Sequence, residues 1–398
     1  MKILAVCQYY SPEPMRFPDM CEEMVRRGHT VTVLTDVPNY PMGEIYPGYE
    51  NGQNRHETIN GVEVFRCATI PRKTGVVYRI LNYFSFAISS WLKAGSLAND
   101  YDVVFVNQMS PVMMAWPGIR YARKHGKKLV MYCMDLWPAS LSAGGIREGS
   151  LIYKVFGWLS KCIYRRTDRL LITSKMFRSY FEKTIGVEPQ TIDYLPQYAD
   201  AQFDEPVSPV QQKDTVDILF AGNVGVVQGI PTLLRAMSLL KEESALRLHI
   251  VGDGSELDNA KNLAAELELE NVIFHGRKPL DDMPEYYAMA DALIVSLTAD
   301  PIISLTLPGK VQTYMAAGKP ILGSAIGETP MILGEAGCGY CAVADDPEAF
   351  AHVVRQFLAY EDKPALGKNG RAYYEENFKR NLFMDKLERE LQNHCNAI

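Results

Sequence analysis

Short apolar β-type runs alternate with amphipathic helical runs along this chain, and the pattern restarts once part-way. That rhythm constrains the fold more than any other feature. Strand-like runs at 2–7, 30–35, 62–65, 103–106, 128–133, 169–173 and 191–195 are separated by helical stretches such as 17–27, 78–94, 112–124 and 151–166. Strands this uniformly apolar have no solvent face, so they read as a parallel sheet covered by helices on both sides. Residues 200–214 interrupt the rhythm with Pro206, Pro209, Gln211 and Gln212, the composition of a linker. It returns at 217–221, 249–251, 272–275, 292–296 and 320–323, and 346–390 is helical in pattern. The expectation is an α/β chain of two doubly wound domains facing a cleft, with ligands at the carboxyl ends of the strands. At 398 residues the chain exceeds one ordinary core, which agrees.

Composition narrows the function classes. The formal net charge of −6 gives no electrostatic support for coating nucleic acid. No run approaches the roughly 20 apolar residues of a spanning helix, and the opening segment reads as a first strand rather than a leader. Eight scattered cysteines fit the cytoplasm. Only Cys338 and Cys341 have ligand-like spacing, and without a second pair they read as structural thiols rather than a zinc site. The seven histidines show no metal-ligand spacing. There is no nucleophile elbow and no phosphate-loop lysine motif.

The most telling local stretch is 306–320. It reads as a short helix with Pro308 in its first turn and Gly318 as its left-handed stop. Lys310 then sits beside the positive end of the helix dipole, the wrong end for a cation. An anion such as a diphosphate in front of that helix would resolve the mismatch; the alternative is a solvated surface lysine. The turn 222–229 contributes Gly222, Gly225 and Gly229 between a strand and a helix, where backbone N–H groups can meet phosphate oxygens. Gly252-Asp253-Gly254 is a second, weaker turn of this kind. In the first half, 9–17, Asn107-Gln108-Met109-Ser110-Pro111 and Asp135-Leu136-Trp137-Pro138 each follow a strand. Polar side chains there are placed for binding or catalysis, although Asp135 also suits a turn or cap.

Taken in order and spacing, these residues resemble family 4 glycosyltransferases of the GT-B fold over essentially the whole chain. The carriers are Tyr9-Tyr10-Ser11-Pro12-Glu13, Arg27-Gly28-His29, Pro38-Asn39-Tyr40-Pro41-Met42-Gly43, Asp135-Leu136-Trp137-Pro138, the two glycine turns and the helix from Lys310 to Pro320. Within the family the chain is similar to bacterial enzymes of O-antigen and exopolysaccharide assembly, of the fucosamine or N-acetylglucosamine transferase type. Two departures stand out. Asn223 and Gln228 occupy positions where many members carry an arginine and a lysine. Leu305 and Thr313 occupy positions where many carry a pair of glutamates.

The resemblance implies two Rossmann-like domains, 1–199 for the acceptor and 215–380 for the nucleotide sugar. A linker at 200–214 joins them, and a final helix at 381–398 returns to the first. It implies a retaining hexosyl transfer to a lipid-linked or other glycan acceptor, with no metal and no cofactor. Lys310 and Asp135 are the expected catalytic groups. Asn223, Gly225, Gln228, Gly254, Arg277, Pro308, Gln312 and Thr313 are the expected donor contacts, and Arg16 and Asn107 the expected acceptor contacts. Two aromatic, basic helices at 78–93 and 151–166 fit attachment to an anionic membrane surface at the inner face of the plasma membrane, and equally fit plain sheet-covering helices. Two other readings stay open: a sugar-nucleotide epimerase or hydrolase of the same architecture, and a non-catalytic nucleotide-binding subunit.

Overall fold

The computed structural model describes residues 1–398 except 74, 144, 209–212 and 396–398. The chain forms two compact units, one of residues 1–195 with 384–398 and one of residues 196–383. Each is a doubly wound, Rossmann-like α/β sheet.

The first unit holds eight strands: β1 (Lys2–Val6), β2 (Thr30–Asp36), β3 (His56–Ile59), β4 (Val62–Cys67), β5 (Val103–Gln108), β6 (Lys128–Cys133), β7 (Arg169–Ile172) and β8 (Ile192–Tyr194). Their order across the sheet is β3-β4-β2-β1-β5-β6-β7-β8. The direction of travel reverses between β1 and β5, so the crevice at a topological switch point opens where these two strands end. β3 is a departure from the expected parallel sheet: it pairs antiparallel with β4 through a turn at Asn60 and Gly61, both at positive φ. Its alternating exposure shows why its apolar pattern was too weak to stand out. The expected helix over 112–124 is a 3-10 turn, Val112–Ala115, followed by the helix Trp116–His125.

The helix Arg380–Asn393 runs into the first unit. Met384, Leu387 and Leu391 are fully buried, and Leu391 meets Ile3, Met20 and Phe105. Its polar side is tied by Glu388 to Arg27 (2.8 Å) and His29 (2.7 Å), and by Glu390 to Arg169 (2.7 Å).

The second unit has β9 (Val216–Ala221), β10 (Leu246–Val251), β11 (Val272–Gly276), β12 (Ala292–Ser296), β13 (Ile321–Ser324) and β14 (Gly339–Ala342). The order is β11-β10-β9-β12-β13-β14, all parallel, with the switch point between β9 and β12. One face packs Ile218, Phe220, Leu248 and Ile250 against the helices Ile230–Ser238 and Pro347–Ala359. The other packs Leu219, Leu293 and Val295 against the helices Met283–Met289 and Gly309–Ala316. β14 was not anticipated; its glycine, tyrosine and cysteine do not read as a strand until β13 is there to pair with it. Of the expected linker, Pro209, Gln211 and Gln212 lie outside the described residues.

Candidate active site

The site-building begins where β9 ends. Gly222 leaves the strand at φ 134°, a conformation that favours glycine. A Cβ there would lie 2.9 Å from Lys310 Nζ, so the lysine lies directly against the turn. Lys310 comes from the second residue of the helix Gly309–Ala316, whose N-cap is Pro308 in an extended conformation. Its ammonium stands 3.8 Å from the ring centre of Phe220, over the aromatic face. Among the described residues no carboxylate pairs with it. Burial alone pushes its pKa down to about 7. A desolvated cation, at the positive end of a helix, beside a glycine turn and at a switch point, is arranged to receive an anion.

The glycine turn is held by its own side chains. Gly225 N–H donates to Gln228 Oε1 (3.2 Å), and Asn223 Nδ2 reaches the same oxygen (3.4 Å). Gln228 therefore caps the turn, and the Gly225 N–H that was expected to face phosphate is already engaged. Gly254 is engaged in a similar way. Its N–H donates to Asp253 Oδ1 (2.7 Å), and an added Cβ would sit 2.3 Å from Val224 O. A Cβ on Gly252 would sit 1.8 Å from Gly222 O. The second turn needs its glycines so that its backbone can pack on the first.

The rest of the expected donor set divides. Gln312 is fully buried, and both amide atoms are without a partner among the described residues. Thr313 Oγ1 donates back to Gly309 O (3.1 Å), which spends its proton inside the helix. Arg277 is exposed, just past β11 at the edge of the sheet, with β10 between that strand and β9. Sequence reasoning missed two serines. Ser296 and Ser324 end adjacent strands in register with each other, and each Oγ is buried without a partner among the described residues. The signal was a hydroxyl closing each apolar run beside the switch point.

In the first unit, Asp135 follows β6. Its carboxylate accepts from Trp137 Nε1 (3.2 Å) and from the Ser140 hydroxyl. Burial raises its pKa against these hydrogen bonds, which lower it. Asn107 is corrected: β5 runs on to Gln108, so Asn107 lies within the strand, buried, with Nδ2 3.5 Å from Cys7 Sγ. Its place past a strand end was a boundary error of two residues. Arg16 precedes the helix Phe17–Arg26, and its charge acts on Tyr132 of β6.

Where β1 and β2 end, the loops are tightly built. Glu13 accepts from the backbone N–H of Tyr40 (2.7 Å), Asn39 (2.9 Å) and Tyr10 (3.1 Å). Asp36 is fully buried, and burial, with the nearby Glu13 charge, pushes its pKa well above the carboxylate range. Arg72 Nη1 lies 3.4 Å from Tyr9 Oη, with its guanidinium carbon 5.7 Å from the ring centres of both Tyr40 and Tyr83. The described residues contain no group of three or more His, Cys, Asp or Glu arranged to hold a metal ion.

These geometries define a two-unit α/β protein with a buried lysine and a glycine turn at the end of a parallel strand. Comparison with known proteins narrows the class. Residues 15–197 match the family described as Glycosyl transferase 4-like domain, and residues 202–373 match Glycosyl transferases group 1. The chain is 28% identical over 339 residues to the probable glycosyltransferase WbjE of Pseudomonas aeruginosa, covering 81% of this chain and 82% of that protein. It is 26% identical over 388 residues to the putative colanic acid biosynthesis glycosyl transferase WcaI of Escherichia coli K12, covering 90% and 92%. The structure of Anabaena Alr3699/HepE in complex with UDP and glucose superposes with a TM-score of 0.70 at 15% identity, over 98% of this chain and 99% of that one. The chain is a glycosyltransferase, built from a glycosyltransferase 4-like domain and a group 1 domain.

Proposed function

We propose that this enzyme transfers a hexosyl group, with retention at the anomeric carbon, from a nucleotide sugar to a lipid-linked glycan in surface-polysaccharide assembly. One observation carries the donor assignment: the uncompensated cation of Lys310 against the glycine turn after β9. As the sugar C1–O bond breaks, the electron pair passes to the nucleoside diphosphate. A preorganised ammonium facing that growing charge lowers the barrier. It takes the part of the arginine and lysine that Asn223 and Gln228 replace. Gln312, with its free amide, is the side chain of this helix left to meet donor hydroxyls. Asp135 and Arg16 serve the acceptor side.

The lipid-linked acceptor is supported by the surface of the first unit. The helices Val76–Ser96 and Leu151–Tyr164 meet through Phe84 and Phe156, 6.4 Å between ring centres. Their outer faces leave Val77, Leu92, Leu151 and Trp158 exposed, Trp158 at 66%. Between Val64 and Asn99, and again between Gly149 and Thr167, the sequence has lysines and arginines but no acidic residue. An apolar face ringed by cations is what an anionic bilayer surface selects. No helix among the described residues is long and apolar enough to cross a membrane.

The test is a thermal-shift panel of nucleotide sugars on the full chain, followed by NMR of the product of the one that binds. A ligand at about 100 times its Kd stabilises the fold by roughly 2.7 kcal/mol. The expected result is one stabilising donor and a product whose anomeric coupling matches that donor. An inverted anomer, or no shift with any nucleotide sugar, overturns the reading.

A further inference from the structure

The motif Pro38-Asn39-Tyr40-Pro41-Met42-Gly43 has no part in the donor chemistry, yet the structure spends it on one side chain. Asn39 Oδ1 accepts the backbone N–H of Arg72 (2.9 Å). Tyr40 flanks the Arg72 guanidinium, and its own ring lies 5.1 Å from that of Tyr9, which hydrogen-bonds the same group. Gly43 lets the Arg72 carbonyl come close; a Cβ there would stand 2.6 Å from it. Tyr83 closes another side, and Asn82 Nδ2 fixes the chain two residues earlier through Ile70 O (2.8 Å). Three tyrosines and two loops thus hold one guanidinium beside the loop that follows β1, at the first unit's switch point.

That guanidinium has no counter-charge. Among the described residues no carboxylate lies within ion-pair distance of Arg72 or of the adjacent Lys73. Arg66, by contrast, pairs with Glu57 at 2.6 Å. Asp36, whose charge also reaches Tyr9, is kept towards its neutral form by burial and does not supply the missing anion. Arg66, Arg72, Lys73, Arg79 and Lys93 share a stretch, Val64 to Asn99, without a single Asp or Glu. A rigid fork of N–H donors, next to a second cation, matches a multiply charged oxyanion better than a single carboxylate.

We propose that Arg72, with Lys73 beside it, binds a phosphoryl group of the acceptor substrate. This rests on the reading of the first unit as the acceptor side and gives that acceptor a chemistry: it carries a phosphate or diphosphate. The exposed apolar helix that begins four residues later, at Val76, gives the remainder of a phosphorylated lipid a surface to lie on.

The experiment is calorimetric titration of the full chain with inorganic pyrophosphate, for wild type, Arg72→Gln, Lys73→Gln and Lys310→Ala. Wild type should show two sites. Arg72→Gln should lose one, by about tenfold or more in affinity, and Lys310→Ala should lose the other. Lys73 is exposed, so Lys73→Gln reports on the same site even if Arg72→Gln folds poorly. Loss in Lys310→Ala alone, with both other variants titrating as wild type, overturns this proposal and leaves the donor site standing. Loss in Arg72→Gln and Lys73→Gln alone supports it and removes the donor assignment instead. Sedimentation with phosphatidylglycerol vesicles separates the phosphate sources. Unchanged vesicle binding by the Arg72 and Lys73 variants supports an acceptor phosphate. Lost vesicle binding with intact pyrophosphate binding assigns these cations to lipid headgroups and overturns it.

Discussion

Lys310→Ala removes a cation that has no carboxylate partner among the described residues and, on the present reading, one anionic partner in the substrate. The contact with a diphosphate is charge-assisted and worth roughly 1.5–3 kcal/mol, so donor affinity should fall about 10- to 150-fold. The contact strengthens as the leaving group gains charge, so turnover should fall with it. Lys310→Gln should behave alike, because the amide has no charge to offer. Protonation gives a second, independent handle. With a pKa of about 7 in the free protein, the amine is largely neutral at pH 8, and binding the diphosphate draws a proton back. Calorimetry in two buffers of different ionisation enthalpy should show proton uptake in wild type and none in either variant. The sign for stability is also fixed. Between about pH 7 and the ordinary lysine value, the unfolded chain binds more protons than the folded one at this position. Stability of the ligand-free protein should therefore rise with pH across that window, and Lys310→Ala should flatten the rise. Lys319, held down to about 8, adds a rise of the same sign over a narrower window. Wild-type donor affinity in both variants, or proton uptake that survives them, would refute the assignment of Lys310 to the diphosphate.

Lys319 lies just past the other end of the Lys310 helix, where a positive charge suits the dipole. In the structure it is buried and donates to Ala288 O (3.0 Å) and Ala290 O (2.8 Å). Lys319→Ala should lower the thermal midpoint, by the roughly 1–3 kcal/mol of stranded carbonyls, while calorimetric donor affinity in the folded fraction stays at wild type. Gly252→Ala should abolish donor binding, because its Cβ would stand 1.8 Å from Gly222 O and part the two turns. Gly28→Ala meets nothing within 4 Å and should show only the modest cost of a positive φ in thermal unfolding. Co-sedimentation should favour anionic over neutral vesicles and weaken towards about 1 M salt, where the Debye length is about 3 Å; Trp158→Ser should weaken it further.

The strand rhythm was legible because buried parallel strands are apolar along their whole length. Runs 128–133 and 292–296 coincide with β6 and β12 for that reason. β3 and β14 were not legible, since an exposed edge strand and a glycine-rich one acquire their conformation from the neighbour they pair with. Lys310 could be singled out because a charge at the wrong end of a helix is a local contradiction, visible in a dozen residues. Arg72 could not. Its significance lies in what is missing around it, and the tyrosines at 9, 40 and 83 that hold it are far apart in the chain. Gly254 and Asn107 are hard to read for the opposite reason. Sequence shows that a glycine or an amide is present at a strand end, but not whether backbone packing or burial already accounts for it.

The tail of the chain has a consequence in time rather than space. Residues 384–395 complete the first unit, closing over Ile3, Met20 and Phe105 with Leu391 and engaging Arg27, His29 and Arg169. Between the end of residues 1–195 and this segment lie the 188 residues from Pro196 to Phe383. At synthesis rates of about 5–20 residues per second, the first unit waits on the order of ten to forty seconds on the ribosome with an apolar seam uncovered and with Arg27, His29 and Arg169 still lacking the carboxylates of Glu388 and Glu390. The second unit, whose residues are continuous in the chain, has no such wait. The half of the protein made first is therefore the half finished last.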